Sequence, residues 1–204
     1  MTHYEEIRDK IRTGDIILFS GKSIVSHLIR MFTKSKWSHV SMALRMPEYD
    51  VVFIWEPTSL LSLKDAIDGK AKYGAKLELL SERLRMYDGE VAIRHLIGID
   101  LDIDPETRKK LMELRKEIRS RPYKEDLIKF MKLAYNGPWG NNVEDLPSLF
   151  CGELVAEAYQ RVGLLPEPPE GMSANEYTPK DFSEQKTLNL LRDASLSIEL
   201  PIIL

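Results

Sequence analysis

Two hydrophobic periods share this chain. Tyr4, Ile7 and Ile11 recur at helical spacing until Thr13-Gly14-Asp15 interrupts them, and Ile16-Ile17-Leu18-Phe19 then reads as a short, continuously apolar strand. Helical spacing returns through Ile24, Leu28 and Met31, with Ser23 placed as N-cap. From about Ser38 to Leu44 small or polar residues alternate with apolar ones, which predicts a strand with His39 at its mouth. Val51 to Glu56, closed by Pro57, predicts a second strand, and the turn at Met46-Pro47-Glu48-Tyr49-Asp50 joins the two as an antiparallel hairpin.

Beyond the hairpin the pattern is mixed to Gly74, with one helical turn around Lys64 to Ile67. Lys76 to Leu80 reads as a strand, Ser81 to Met86 as a capped helical turn, and Glu90 to Leu96 as a clearer strand after Asp88-Gly89. Asp104-Pro105-Glu106 is a strong helix start, its apolar stripe formed by Leu111, Leu114 and Ile118. A further helix is predicted from about Lys124 to Tyr135, and a loop through Trp139-Gly140-Asn141-Asn142 leads to a helix that begins near Cys151 and ends at Gly163. Pro166 to Gly171 is an extended link, Thr178-Pro179 reads as a helix entry, and Leu196 to Leu204 alternates as a strand.

Composition changes this picture only by exclusion. With 204 residues, 43% hydrophobic and 30% charged, the chain is long enough for one domain, expected to span 1–204, with a substantial core. A net charge of -3 gives no field to attract nucleic acid or an anionic membrane. No apolar run approaches the ~18 residues of a membrane span. The N-terminal residues lack the apolar core of a secretion signal, so a cytoplasmic protein is expected, or envelope association if a leader was removed. One cysteine excludes an internal disulfide, and His3, His27, His39 and His95 show no metal-ligand spacing, so neither metal nor cofactor is expected.

The single cysteine is the first candidate for chemistry. Cys151 falls in a first helical turn, where unpaired backbone N–H groups and the helix dipole favour an anion. A thiol at such a position ionises more readily, and the same N–H groups can hold the oxyanion of an acyl-transfer intermediate. Flanked by Phe150 and Leu154, it also fits the description of a small buried hydrophobe. The hairpin supplies the second candidate pair. His39 near the start of one strand and Glu56 near the end of the next sit at one sheet edge, within reach of an imidazole–carboxylate hydrogen bond that would fix the ring's tautomer. A strand histidine satisfied by a backbone carbonyl and a surface glutamate are the plainer alternatives.

Gly14-Asp15-Ile16-Ile17, Trp37-Ser38-His39-Val40, Trp55-Glu56-Pro57 and Phe150-Cys151-Gly152-Glu153-Leu154-Val155, in that order, resemble the circularly permuted branch of the papain-like NlpC superfamily, which includes YiiX-like proteins and lecithin retinol acyltransferase. In that branch the histidine precedes the cysteine. The resemblance implies an α+β, permuted papain-like cysteine hydrolase fold: an antiparallel sheet packed against helices, with the nucleophile at a helix N-terminus. It implies Cys151 as nucleophile, His39 as base and Glu56 as the residue that orients His39. Gly152 stands where the YiiX-like pattern frequently has a serine.

The activity so implied is cysteine-dependent hydrolysis of an amide, in a small peptide or cell-wall peptide fragment, through a thioester acyl-enzyme. A lipid-directed thiol acyltransferase or esterase, a non-catalytic binding module on the same fold, and a redox sensor built on one activated thiol are the other readings. Trp37, Trp55 and Trp139 lie beside the proposed site in sequence and are candidates to line a substrate groove, with core packing as the alternative.

Overall fold

An apolar run without a polar face belongs where both faces of a sheet are covered. In the computed structural model, which describes residues 2–22, 24–58, 65–67, 69, 74–120 and 150–204, the run Ile16-Ile17-Leu18-Phe19 opens β2 (Ile16–Gly21), buried at every position. Its antiparallel neighbours are β3 (His39–Met46) and β6 (Gly89–Arg94). On one side the sheet continues from β3 through β4 (Val51–Thr58) to β5 (Gly74–Leu79), and on the other from β6 to β9 (Leu200–Ile203) and β1 (Thr2–His3). Of these seven strands only β1 and β9 pair in parallel. A separate two-stranded ribbon joins β7 (Leu96–Ile97) to β8 (Ser195–Leu196).

Strand alternation sorts side chains into two apolar layers. Ile16, Leu18, Val40, Met42, Trp55 and Leu77 pack with Leu111 and Leu114 of α4 (Pro105–Ser120) and with Leu154, Val155 and Tyr159 of α5 (Cys151–Arg161). Ile17, Phe19, Ala43, Val52, Ile54 and Ile93 pack on the opposite face with Tyr4 and Ile7 of α1 (Tyr4–Ile7) and Leu80 and Leu84 of α3 (Leu80–Met86). Among the described residues a further helix, α2 (Ile24–Thr33), follows β2. The architecture is α+β, a mostly antiparallel sheet with helices against it.

Several expected boundaries move. The first helix ends at Ile7 and continues as a 3-10 turn over Arg8–Lys10. Strand β4 runs through Pro57, which pairs with Ala75 of β5, because pairing with β3 stops at Trp55 and the N–H that proline lacks has no ladder to join on that side. The helix expected after Thr178 does not form. Asp181 accepts from the Thr178 backbone N–H at 2.8 Å and from its hydroxyl at 2.7 Å, closing a single turn. The expected C-terminal strand splits into β8 and β9. The expected helix over Lys124 to Tyr135, the loop at Trp139 to Asn142 and the Ser23 cap lie outside the described residues.

Candidate active site

The β3–β4 register pairs Met42 with Trp55, so alternation puts His39 and Glu56 on the same face. Their side chains meet: His39 Nε2 lies 2.6 Å from Glu56 Oε2, an N–H donating to a carboxylate that has no exposed surface. The other carboxylate oxygen, Oε1, accepts from Arg83 Nε at 2.7 Å. Arg83 comes from α3 and stands over the rings of Phe19 and Tyr87, 5.0 and 4.9 Å from their centroids, an arrangement that holds a guanidinium by cation–π attraction. Glu56 is thus gripped from two sides, and its orientation fixes that of the imidazole.

Cys151 is the first residue of α5 and has no exposed surface. Phe150, at the N-cap, offers no side-chain acceptor, so it leaves the first-turn N–H groups uncapped by its side chain. With His39 Nε2 committed to Glu56, the ring nitrogen left for the thiol is Nδ1. Burial alone would push the His39 ring toward its neutral form. The charges of Cys151 and Glu56, with a hydrogen bond to each, outweigh it and raise the His39 pKa from 6.5 to about 10. Burial likewise opposes ionisation of Glu56, but the Arg83 and His39 charges and their hydrogen bonds win and lower its pKa to about 2. The arrangement can therefore keep an imidazolium between a carboxylate and a sulfur.

Gly152, next to Cys151, has a steric reason. A Cβ at this position would lie 2.1 Å from the Tyr177 carbonyl oxygen and 2.7 Å from its carbon, both backbone atoms that cannot swing away. The segment 177–178 therefore lies directly against the first turn of α5, and a serine side chain has no room there.

The tryptophans divide differently from expectation. Trp37 and Trp55 are each 1% exposed and belong to the core layer under α5, with Trp37 Nε1 donating to Glu199 Oε1 at 2.8 Å. They pack the interior and present no surface to a groove. Trp139 lies outside the described residues. His95, expected to be structural, bonds Asp15 Oδ2 through Nδ1 at 2.7 Å, and Asp15 also accepts from the Leu96 backbone N–H.

Three charged residues escaped sequence reasoning. Arg83, Lys76 and Glu78 are all buried, the last two on β5 on the face shared with Glu56. The sign available was that Leu80 and Leu84 form the apolar stripe of α3 while Arg83 lies beside it, placing a charge at the edge of a core-facing stripe. Among the described residues no group of three or more His, Cys, Asp or Glu is placed to hold a metal ion, and no helix is long and apolar enough to cross a membrane.

No protein-family model matches the sequence. No curated protein matches it either. Among solved structures it is similar to the crystal structure of metalloprotein YiiX from Escherichia coli O157:H7, with a TM-score of 0.42 and 20% identity over 74% of this chain. The match covers 66% of YiiX, so the chain spans slightly less than two thirds of that protein's length.

Proposed function

We propose that this chain is a cysteine-dependent amide hydrolase on a permuted papain-like fold, with Cys151 as nucleophile, His39 as base and Glu56 as the residue that positions His39. The observation that carries the reading is the buried imidazole held between Glu56 and Cys151, the latter at a helix N-terminus. A ring that donates through Nε2 to a fixed carboxylate keeps Nδ1 as its acceptor, which is the tautomer that can take a thiol proton. His39 takes the proton from Cys151, and the thiolate adds to the amide carbonyl carbon. Cys151 sits at the positive end of the α5 dipole, which favours the developing oxyanion. His39 then gives its proton to the departing amine as the C–N bond breaks, leaving a thioester on Cys151. Water, deprotonated by His39, adds to the thioester, and the carboxylic acid leaves as the thiol is restored. An acceptor amine or alcohol in place of water makes the same acyl-enzyme a transferase intermediate.

The test is a panel of peptide amides, cell-wall peptide fragments and fatty acyl amides, read by product release and by intact-mass detection of an acyl adduct. Turnover with an adduct on Cys151 that is absent in Cys151→Ala is expected. No adduct from any substrate, together with a Cys151 alkylation profile that follows an ordinary thiol and is unchanged in His39→Ala, would defeat the proposal.

A further inference from the structure

Behind Glu56 lies a second carboxyl group that the proposed chemistry leaves unused. Register sets Glu78 of β5 opposite Ile54 and Lys76 opposite Glu56, so Glu78 sits two positions from Glu56 on the same face of the sheet. Only 2% of its surface is exposed. Neither of its carboxyl oxygens has a hydrogen-bond partner among the described residues. The Lys76 ammonium, itself fully buried, is 3.9 Å from Oε1, beyond hydrogen-bonding distance. Facing Glu78 are Lys76 on its own strand, Glu56 on β4, His39 on β3 and Arg83 on α3.

We propose that Glu78 rests as a neutral carboxylic acid and acts as a positioning residue, leaving Arg83 directed at Glu56 while protonated and competing with Glu56 for Arg83 once ionised. An isolated carboxylate without donors is too costly in a dry layer, and such a group takes up a proton instead. Two neighbouring carboxyl groups divide the roles by their partners. Glu56 has two charged donors within 2.7 Å and stays ionised. Glu78 has none at that range among the described residues. Burial, reinforced by the Glu56 charge, raises its pKa to about 8 against the pull of Arg83, Lys76 and His39. Loss of that proton places a second negative charge beside Arg83, which loosens Glu56 and through it the orientation of His39.

This inference deepens the reading of Cys151, His39 and Glu56 and rests on it, so its test has one arm that needs no reactivity. The variant Glu78→Gln keeps the side chain's size and cannot ionise. Infrared spectroscopy of the wild type at about pH 6 is expected to show the carbonyl stretch of a buried carboxylic acid, lost by about pH 9.5 and missing in the variant. The pH profile of Cys151 alkylation should carry a several-fold inflection near pH 8 in the wild type that Glu78→Gln lacks. Absence of the infrared band overturns the proposal, as does an inflection that persists in the variant. Ordinary thiol behaviour in the wild type, unaffected by His39→Ala, overturns the site reading and the positioning role with it, while the infrared band still decides separately whether Glu78 holds a proton.

Discussion

Replacing Glu56 by Gln tests the whole arrangement with one atom's change. Glu56 Oε1 accepts from Arg83 and Oε2 from His39. In Glu56→Gln the amide oxygen must stay on Arg83, which can only donate, so the NH2 group is turned toward His39. The ring must then accept at Nε2 and carry its proton on Nδ1, facing Cys151 with a donor where an acceptor is needed. The carboxylate's charge is lost as well. The rise of the His39 pKa from 6.5 to about 10 corresponds to a preference for the charged ring on the order of 5 kcal/mol, shared between Cys151 and Glu56.

Two measurements follow from that geometry. Alkylation of Cys151 by iodoacetamide should show a plateau reaching well below pH 8 in the wild type and a single ordinary thiol titration in Glu56→Gln, a drop of roughly 30-fold at neutral pH for a thiol of pKa about 8.5. Turnover should fall further, by ~10⁴, the size of the effect when a wrong tautomer is imposed on a catalytic histidine elsewhere. Stability should fall by about 3–5 kcal/mol, because Arg83 and His39 are left buried without their anion. The pH dependence has a definite sign. A histidine with a raised pKa contributes stability fully below 6.5 and loses it as pH rises through about 10. A glutamate with a lowered pKa contributes above 4.5 and loses it as pH falls toward about 2. Wild-type stability should therefore decline on both sides of this window, and Glu56→Gln should flatten both declines. Alkylation and denaturation profiles that overlay those of the wild type would refute the reasoning.

Two other substitutions separate the site from its scaffold. Gly152→Ala forces a Cβ against the Tyr177 backbone at 2.1 Å, and should cost about 1–3 kcal/mol in denaturant melts while displacing the turn that carries Cys151, so the plateau in its alkylation profile should also be lost. Asp65→Asn removes the anion that Arg115 of α4 grips at 2.7 and 2.8 Å and that accepts from the Leu77 backbone N–H on β5. Its melts should show a loss of about 3–5 kcal/mol, with the shape of the Cys151 alkylation profile unchanged.

How much of this was legible depends on which face of the sheet a residue occupies. The hairpin that pairs His39 with Glu56 was readable because two apolar runs flank a turn rich in breakers, and a period of two fixes which residues share a face. The same period misleads at Lys76-Leu77-Glu78-Leu79. Alternation there suggests a solvated polar face, yet α1 and α3 cover that side, so Lys76 and Glu78 become buried charges beside Glu56. Arg83 could not be assigned from its own segment, because its role depends on α3 folding back over β2 and β4, contacts made with residues 64 and 27 positions earlier. Gly152 was visible as a departure from a pattern, and its cause, the Tyr177 carbonyl, comes from a segment 25 residues onward.

The burial of Cys151 agrees with both a packing residue and a nucleophile, so exposure cannot choose between them. The neighbouring charges support the proposed nucleophile. A dry array of imidazole, carboxylate and guanidinium carries a desolvation cost that well-packed apolar side chains of similar volume would avoid, often with a gain in stability. Stability therefore gives no account of why His39, Glu56 and Arg83 are assembled against a cysteine. The proposed proton transfer at that cysteine would, since it gives every member a chemical role. In the proposed mechanism Arg83 fixes Glu56, Glu56 fixes the ring, and the ring exchanges a proton with sulfur. The zero exposure of Cys151 adds one condition to every alkylation experiment. The absolute rate multiplies reactivity by the fraction of time the thiol is open to reagent, whereas opening leaves the ionisation of the thiol in the accessible state to set the pH profile. A profile with a plateau below neutrality that His39→Ala abolishes identifies a nucleophile at any rate, and a slow ordinary titration identifies a buried thiol.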